Sequence, residues 1–377
     1  MKFVEAVLML TGMIIGVGMF AIPFSFVQAG FWLGALELVI LASAVTTLHV
    51  FYAEIVLKTP EAHRLPGYVR YYLGPRTEKL AKFSTLFGIL GALLAYILVG
   101  AVFFNGIAQF FWMESSEGVW AFIFTAIGSA VTFFSLRRVA AINGILTAFL
   151  VLFILFLILI LAPLVQFENI HGFSLSEAFL PYGVLLFALS GGTVIPDVIA
   201  VLGRDRQKAR RAIWIGSLVP AVLYFLFAFA VVGVSGDAVS EDAMSRLLPF
   251  AGGWVTLLGS GIGLLAVFTS YIALSKSFQA MLKLDFKATR TAAWLAAVFL
   301  PFLFYFAGFT SFISIIGAVG AIAMGIDAAL VIATYIRMHA KGKERDLWRT
   351  QFWKVGIIYV VILAGIFYEV YRFLYRG

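Results

Sequence analysis

The chain has 377 residues, of which 63% are hydrophobic, 16% aromatic and only 12% charged, with a formal net charge of +8. A soluble domain carries about 25% charged residues, so 27 Lys and Arg and 19 Asp and Glu are too few to cover the surface of a soluble protein of this size. The composition therefore excludes a soluble enzyme and a disordered chain, and the absence of cysteine excludes disulfides and Cys-based metal sites. It predicts an all-α polytopic membrane protein with a single transmembrane domain over residues 1–377.

Eleven apolar runs are long enough to cross a hydrocarbon core of about 30 Å, which takes about 20 helical residues. They lie at residues 4–28, 32–57, 83–112, 118–136, 141–163, 179–202, 210–234, 250–282, 289–307, 310–337 and 353–374. The first run has no small-residue cleavage site, so we interpret it as a retained helix and not as a signal peptide. Residues 58–82 mix Arg with aromatic residues, which favours either a short interfacial helix or an irregular loop with aromatic anchors.

The basic residues are unevenly distributed between the predicted loops on the two sides of the membrane. With the N-terminus in the cytoplasm, 24 of the 27 Lys and Arg fall on the cytoplasmic side, and only Arg246, Arg372 and Arg376 fall outside. This positive-inside pattern predicts a plasma-membrane (inner-membrane) protein with a cytoplasmic N-terminus and an extracytoplasmic C-terminus. The positive charge is thereby assigned to topology and to contact with anionic membrane lipid, and no nucleic-acid partner is predicted.

Two spans contain the same interruption, a Gly followed by three residues and an Ile-Pro pair. It runs from Gly18 to Pro23 in the first span and from Gly191 to Pro196 in the sixth. The 173-residue offset equals five spans, so the two segments cross the membrane in opposite directions. Freed backbone groups survive in hydrocarbon only where they are buried in protein or line a cavity, and half-helix ends bind carboxylates and cations. The alternative is that these glycines only allow close helix packing.

The matched interruptions predict an inverted-repeat transporter with two broken helices that meet near the midplane. Repeat one covers about residues 4–163 and repeat two about residues 179–337. The run at 353–374 is then an extra C-terminal helix.

The segment Gly12-Met13-Ile14-Ile15-Gly16-Val17-Gly18-Met19-Phe20-Ala21-Ile22-Pro23, followed by Ala29-Gly30, resembles the first helix of the amino acid–polyamine–organocation superfamily. The ending from Met19 to Pro23 and the eleven spans are most similar to its amino acid/auxin permease and hydroxy/aromatic amino acid permease branches. The resemblance implies the five-plus-five inverted-repeat, LeuT-like fold of the sodium-coupled neurotransmitter symporters.

The resemblance also implies a substrate site. Its residues are Ile15, Gly16, Val17, Gly18 and Met19 in the first break, Tyr96 in the third span, and Ser190, Gly191, Gly192 and Thr193 in the second break. In relatives the amides of the first unwound segment hold the substrate carboxylate, and a tyrosine in the third helix often faces the substrate. Aromatic packing between helices is the alternative role for the tyrosine here.

An ion site is implied by Ala-x-x-Thr-Ser in the eighth span. Ala266, Thr269 and Ser270 match half of the sodium site of sodium-coupled members, and the carbonyls of Gly12 and Ile15 would supply the other half. Hydroxyl and carbonyl oxygens suit hard cations, but Thr and Ser in membrane helices also bond to their own backbone. The coupling ion is therefore Na⁺ or H⁺. Na⁺ is slightly favoured because the fifth span lacks the Lys that replaces sodium in some proton-coupled relatives. No other cofactor and no obligate protein partner are predicted.

Acidic residues within membrane spans are functional candidates because burying a charge is costly. Asp197 and Asp327 are our gating or proton-transfer candidates. Asp197 directly follows the second break and is expected either to titrate, to form an inner gate with an Arg such as Arg204, or to form a structural ion pair. Glu54 and His49 are expected to reach the inner membrane interface.

These observations lead to the hypothesis of a secondary active transporter that takes up an amino acid by cation symport and alternating access. No ionic side chain lies near either break in sequence, whereas aromatic residues do, namely Phe20, Tyr96, Phe187 and Phe268. The expected substrate is therefore neutral and hydrophobic or aromatic. An enzyme is not predicted, because the four His are scattered and no nucleophile–base pattern is visible. A channel, or a non-transporting sensor or scaffold on the same fold, is the alternative.

Overall fold

The computed structural model describes residues 2–111, 113, 115–133, 136–174, 177–247 and 252–340, together with six single positions between 356 and 368. Every regular element in this part of the chain is helical, as the composition predicts. The α-helices are α1 (Lys2–Ile14), α2 (Ile22–Ala29), α3 (Phe31–Lys58), α4 (Leu65–Leu73), α5 (Pro75–Phe110), α6 (Glu117–Phe133), α7 (Leu136–Leu161), α8 (Leu180–Ala188), α9 (Ile195–Val201), α10 (Arg206–Ser235), α11 (Gly253–Asp285), α12 (Arg290–Phe306), α13 (Phe312–Ala318) and α14 (Gly325–Ala340).

Short segments of 3₁₀-helix or π-helix join some of these helices. Turns of 3₁₀-helix lie at Val17–Ala21, Ala162–Leu164, Phe167–Asn169, Gly192–Val194 and Gly236–Ala238. A π-helical segment, Val319–Met324, connects α13 to α14. Such segments are common at functional sites, because they interrupt the regular hydrogen-bond ladder of a helix.

The helices occupy the first ten predicted spans. Within the described residues, six helical stretches are long and apolar enough to cross a membrane, and the bent pair Lys2–Ile14 and Val17–Ala29, with an angle of 48°, adds a seventh. The six are Phe31–Lys58, Pro75–Phe110, Leu180–Val201, Arg206–Ala238, Gly253–Lys283 and Phe312–Ala340. Shorter apolar helices lie at Glu117–Phe133, Ala148–Leu164 and Arg290–Phe306. The predicted span at 353–374 falls outside the described residues except for single positions, so the total of eleven stays a prediction.

The segment between the second and third predicted spans is helical over most of its length. α4 buries Pro66, Tyr68 and Val69 and packs against α5 and α14, so the helical alternative is confirmed and the irregular loop is wrong. α5 begins at Pro75, eight residues before the apolar run, because its charged first turns are held by ion pairs. Glu78 lies 2.9 Å from Lys82 one turn later and 3.3 Å from Arg70 of α4.

The two halves of the chain have matching element bounds. α2 and α9 begin at Ile-Pro pairs that are 173 positions apart, and α6 and α12 are both 17 residues long and start 173 positions apart. α1, which precedes the first break, packs on α9, which follows the second break. In the same way α2, which follows the first break, packs on α8, which precedes the second. The two broken helices are therefore antiparallel, as the sequence offset predicts.

The second broken helix is packed tightly against the π-helical segment. A Cβ atom on Gly183 of α8 would lie 2.4 Å from the Gly317 carbonyl oxygen, and one on Gly320 would lie 1.9 Å from the Gly183 carbonyl oxygen. Only glycine permits backbones to approach this closely, which is a usual device for packing helices in membranes.

Candidate functional site

The first break separates α1 from α2. α1 ends at Ile14, the Ile15 N–H still donates to the Thr11 carbonyl at 2.8 Å, and Gly16 is extended with φ −138° and ψ −157°. A 3₁₀ turn then begins, with the Met19 N–H donating to the Gly16 carbonyl at 3.3 Å. The first N–H groups of a helix have no partner within it. Among the described residues, no hydrogen-bond acceptor is assigned to the first two N–H groups of this turn, those of Val17 and Gly18.

The second break has the same construction. α8 ends at Ala188, the Ser190 N–H donates to the Phe187 carbonyl at 3.1 Å, and a 3₁₀ turn starts at Gly192. The helix resumes at Ile195, with a proline in the first turn of α9, where a missing N–H costs nothing. Each break therefore gives a helix C-terminus with partial negative charge and a helix N-terminus with partial positive charge.

The two breaks contact each other through their glycines. A Cβ atom on Gly18 would lie 2.8 Å from the Ala188 Cα at the end of α8. A Cβ atom on Gly191 would lie 2.7 Å from the Ile14 side chain and 2.8 Å from that of Leu10, both on α1. These glycines lie where the helices are interrupted, and they also allow the close packing that the sequence analysis considered as the alternative.

Tyr224 of α10 links the ends of both half-helices. Its hydroxyl oxygen lies 2.6 Å from the Ile14 carbonyl oxygen and 3.0 Å from the Ala188 carbonyl oxygen. The same oxygen accepts a hydrogen bond from the backbone N–H of Gly16. The side chain is fully buried. Our sequence analysis missed this residue. The available signal was a tyrosine inside an apolar span, because a buried hydroxyl generally has a hydrogen-bond partner.

His49 of α3 binds the second break. The Gly191 N–H donates to His49 Nε2 at 3.2 Å, which assigns the ring proton to Nδ1, and Nδ1 lies 3.2 Å from the Ser217 hydroxyl of α10. The prediction that His49 reaches the inner interface is wrong, because its side chain is only 4% exposed. The sequence position near the end of the span suggested water contact, but α10 covers the ring.

Three residues of the predicted substrate and ion sites meet at the first break. The Tyr96 hydroxyl of α5 is hydrogen-bonded to Ser270 of α11. A Cβ atom on Gly16 would lie 3.1 Å from the Tyr96 hydroxyl oxygen and 3.9 Å from the Ser270 hydroxyl oxygen. Two hydroxyl groups therefore lie next to the extended backbone of the break, in a buried region between three elements.

The other residues of the predicted ion site are arranged differently. The Thr269 hydroxyl donates to the Ala266 carbonyl of its own helix at 2.9 Å, which is the backbone bond considered as the alternative. Ala266 and Thr269 line a small cavity next to Phe149 and Leu150 of α7. Of the two adjacent hydroxyls, Ser270 is the one that lies beside the first break.

Aromatic side chains surround the breaks. Phe20 makes edge-to-face contacts with Phe103 and Phe227, with ring centroids 4.8 and 6.0 Å away. The Phe187 ring approaches Gly18, where a Cβ atom would lie 2.9 Å from it. Phe268 instead makes an edge-to-face contact with Phe124 of α6, with ring centroids 5.7 Å apart. The surroundings are therefore apolar, apart from backbone groups and hydroxyls.

Asp197 forms an ion pair below the second break, but its partner is not Arg204. Arg64, at the start of α4, donates from Nη1 and Nη2 to the two carboxylate oxygens at 2.7 and 3.1 Å, and Nη1 also donates to the Thr193 carbonyl at 3.0 Å. Burial opposes the charge of Arg64, yet the hydrogen bond and charge of Asp197 raise the pKa of the guanidinium above its ordinary value.

Arg204 instead stabilises the end of α3. Its Nη2 donates to the carbonyls of Val56, Leu57 and Thr59 at 3.0, 2.6 and 3.0 Å. Cations near the C-terminus of a helix are favoured by the helix dipole and by the unpaired carbonyls there. The sequence distance from Arg204 to Asp197 suggested a pair, but the loop folds Arg204 away from α9.

Asp327 lies immediately after the π-helical segment and faces α5. Its carboxylate accepts a hydrogen bond from the Ser84 hydroxyl. At the same end of this segment, the Ser190 hydroxyl of the second break lies 3.2 Å from the sulfur of Met324, its last residue. Asp327 and the residue that contacts the second break are therefore three positions apart in the chain.

Comparison with known proteins gives a family and two curated relatives. The model of the tryptophan/tyrosine permease family matches residues 1–372. The chain is 24% identical over 236 residues to "Glutamine transporter 2" of Aliivibrio fischeri, covering 62% of this chain and 61% of the relative. It is 25% identical over 251 residues to "Tyrosine-specific transport system 2" of Haemophilus influenzae, covering 66% and 61%. The chain thus spans about three fifths of the length of these relatives.

Three solved structures have the same fold at low identity. The manganese transporter of Eremococcus coleocola gives a TM-score of 0.70 at 13% identity, covering 99% of this chain and 88% of that one. MhsT in complex with L-phenylalanine gives 0.68 at 12%, covering 97% and 98%. Mhp1, a nucleobase–cation symporter in a closed conformation, gives 0.66 at 13%, covering 98% and 91%. The described helices therefore have the LeuT-like transporter fold.

Proposed function

Because the chain belongs to the tryptophan/tyrosine permease family, we propose that it is a secondary active transporter that carries a neutral, hydrophobic or aromatic amino acid across the plasma membrane. One observation carries this proposal. The first break, the Tyr96–Ser270 hydroxyl pair and the second break meet in one buried region of the fold. The resemblance identified in the sequence and the match over residues 1–372 support the same conclusion.

The proposed site has the polarity that an amino acid zwitterion needs. The N–H groups of Val17 and Gly18 lie at the positive end of a half-helix and suit the α-carboxylate. The carbonyl ends of α1 and α8 have the opposite polarity and suit an ammonium group or a metal cation. An amino acid therefore binds without any fully ionised side chain in the membrane, where a charge is expensive.

The substrate side chain would occupy the aromatic surroundings of the breaks. Phe20 and Phe187 lie at the two breaks, and neither contributes a charge that would pair with an acidic or basic substrate. The names of the two curated relatives mention glutamine and tyrosine, both neutral amino acids. We therefore propose tyrosine and tryptophan as first substrates, with glutamine as the polar comparison.

For coupling we propose a symported cation, with Na⁺ ahead of H⁺. A Na⁺ ion would be held by the Ser270 hydroxyl and by carbonyls at the end of α1, including those of Gly12 and Ile15, since hard cations prefer oxygen ligands. Thr269 would join them by turning its hydroxyl away from Ala266. If the coupling ion is H⁺, we propose that it binds the carboxylate of Asp327, which accepts a hydrogen bond from the Ser84 hydroxyl.

Alternating access would follow from rocking the broken helices and their neighbours against the remaining helices. The Arg64–Asp197 pair lies on the predicted cytoplasmic side of the second break and joins α9 to α4. We propose that it closes the inner pathway and opens when substrate leaves.

The test is uptake into proteoliposomes that contain the purified full-length protein. Labelled tyrosine, tryptophan and glutamine are offered with a Na⁺ gradient or a proton gradient imposed separately. We expect saturable uptake of at least one of them, with accumulation above the external concentration when the Na⁺ gradient is imposed and no such accumulation when Na⁺ is equal on both sides. The Ser270→Ala variant should raise the Na⁺ concentration needed for half-maximal uptake, because it loses one oxygen ligand.

The alternatives give different results. Uptake that follows only the proton gradient would remove the ion role of Ser270 and Thr269. Non-saturable flux without coupling would indicate a channel, and binding without uptake of any amino acid under either gradient would indicate a sensor or scaffold. Either of the last two results would overturn the transporter proposal.

A further inference from the structure

A groove of about 270 Å³ lies between the last turns of α3 and the first turns of α10, away from the paired breaks. Val50 and Leu57 of α3 and Ile213 of α10 form its apolar side, and Glu54, Arg206 and Arg210 form its polar side. By the positive-inside pattern, this end of both helices lies at the cytoplasmic face of the membrane. The groove therefore lies at the depth where lipid headgroups are found.

The charges of the groove leave one cation available. The Glu54 carboxylate accepts a hydrogen bond from Arg206 Nη2 at 3.0 Å and lies 3.3 Å from the Tyr335 hydroxyl of α14, so it is already neutralised. Within the described part of the chain, no ion pair or hydrogen bond is assigned to the Arg210 side chain, which is exposed. The groove consequently has an unneutralised guanidinium that an anion would complement.

Next to the groove, α10 has an exposed apolar surface. Trp214, Leu218 and Val222 follow Arg210 at intervals of four residues, so all four lie on one face of the helix. Their side chains are 46%, 59% and 48% exposed. An exposed apolar face that ends in a tryptophan and then in basic residues is typical of a lipid-facing helix crossing from the hydrocarbon into the headgroup layer.

We propose that this groove is a binding site for an anionic phospholipid, with the headgroup phosphate on Arg210 and the first part of an acyl chain against Val50 and Leu57. Guanidinium groups bind phosphate by paired hydrogen bonds, and basic pockets between helices on the cytoplasmic side are suited to anionic lipid headgroups. The adjacent lipid-facing surface of α10 indicates lipid and not free phosphate. The bound lipid would join α3 to α10, which are adjacent to the two broken helices.

The test is native mass spectrometry of the delipidated full-length protein with phosphatidylglycerol added at increasing concentration. The variant is Arg210→Gln, and the matched control is Arg211→Gln, the next residue on the same helix, which is also exposed but does not line the groove. We expect Arg210→Gln to weaken binding at least fivefold and Arg211→Gln to change it less than twofold. Arg210→Lys, which keeps the charge, should bind more tightly than Arg210→Gln. Zwitterionic phosphatidylcholine should bind at least fivefold more weakly than phosphatidylglycerol.

Three results would overturn the proposal. Equal weakening by Arg210→Gln and Arg211→Gln would mean that a diffuse basic belt attracts the lipid. Equal affinity for phosphatidylcholine would mean that the groove does not recognise negative charge. Competition by inorganic phosphate at the lipid concentration would mean that the ligand is free phosphate. The melting temperature of Arg210→Gln without lipid, expected to be unchanged, verifies that the variant is folded.

Discussion

Tyr224 is the residue on which the geometry of both breaks depends most directly. One hydroxyl lies within hydrogen-bonding distance of the last carbonyl of α1 and the last carbonyl of α8. Because a broken helix in a membrane leaves carbonyls without partners, their satisfaction by protein is a condition for the break to exist. We infer that Tyr224 holds the two half-helix ends at the separation that the site requires.

Replacement of Tyr224 by Phe should destabilise the protein and weaken substrate binding. The Ile14 and Ala188 carbonyls lose their donor while staying buried, which costs about 1–3 kcal/mol. The matched control is Tyr271→Phe, because the Tyr271 side chain is also fully buried but its hydroxyl has no hydrogen-bond partner among the described residues. Thermal unfolding of the two purified variants should show a lower melting temperature for Tyr224→Phe only. Equal melting temperatures would contradict the role of Tyr224.

The sequence predicted part of the site at the residue scale. The structure brings together Gly16, Tyr96 and Ser270, which the resemblance identified as candidates from a motif in the first span, a tyrosine in the third and a motif in the eighth. Tyr224 and His49 were missed or misjudged, since their partners are distant along the chain and no local pattern marks them. A side chain that satisfies a remote backbone group is visible only once the helices are packed.

At the scale of elements, the closure that we propose for the inner side involves two short helices. α4 begins next to Arg64, and α9 contains Asp197, so the ion pair connects the loop after α3 to the half-helix that follows the second break. Arg64 also binds the Thr193 carbonyl within the break itself. A movement of α9 away from α4 therefore has to break a paired hydrogen bond and a contact to the break at once.

Loss of this ion pair should shift the protein toward a state open to the cytoplasm. Since the Arg64 and Asp197 side chains are 60% and 44% exposed, the pair contributes about 0–1 kcal/mol, or at most about a fivefold change in the equilibrium. The chain has no cysteine, so Ser190→Cys introduces a single thiol at the second break. On our proposal the Arg64–Asp197 pair lies between this thiol and the cytoplasm, so the alkylation rate of the thiol reports the opening of the pair. Alkylation from the cytoplasmic side should accelerate about twofold to fivefold in Arg64→Gln.

The matched controls use both partners. Arg70→Gln removes an exposed arginine of α4 that binds Glu78 and not α9, and it should leave the alkylation rate unchanged. The exchange Arg64→Asp with Asp197→Arg should partly restore the original rate. An Arg64→Gln rate equal to that of Arg70→Gln would exclude the pair as a closure.

The sequence predicted the elements better than their ends. The Ile-Pro pairs correctly indicated where both broken helices resume, because proline is favoured in the first turn of a helix. The start of α5 was missed, since charged turns held by ion pairs have no apolar signal. The π-helical segment was also missed, because the close packing of its Gly320 against Gly183 is a contact between residues far apart in the chain, which no local pattern marks.

For the whole molecule, the sorting of basic residues predicts the orientation of the loops. Glu61 lies between α3 and α4 on the predicted cytoplasmic side, and His171 lies between α7 and α8 on the outside. In intact cells, a membrane-impermeant maleimide should label His171→Cys, and it should label Glu61→Cys only after the membrane is permeabilised. The reverse labelling pattern would contradict the orientation and the cytoplasmic position of the Arg64–Asp197 pair.

The central claim is that an amino acid binds where the two broken helices meet, and equilibrium binding of labelled tyrosine and tryptophan to the Gly18→Ala variant tests it most directly. The added Cβ would lie 2.8 Å from the Ala188 Cα and would separate the breaks, at an overpacking cost of about 1–3 kcal/mol. Gly261→Ala is the control, because a Cβ atom there has no neighbour within 4 Å. We predict at least tenfold weaker binding in Gly18→Ala and less than twofold change in Gly261→Ala. Binding of wild-type strength by folded Gly18→Ala would show that the substrate site lies elsewhere.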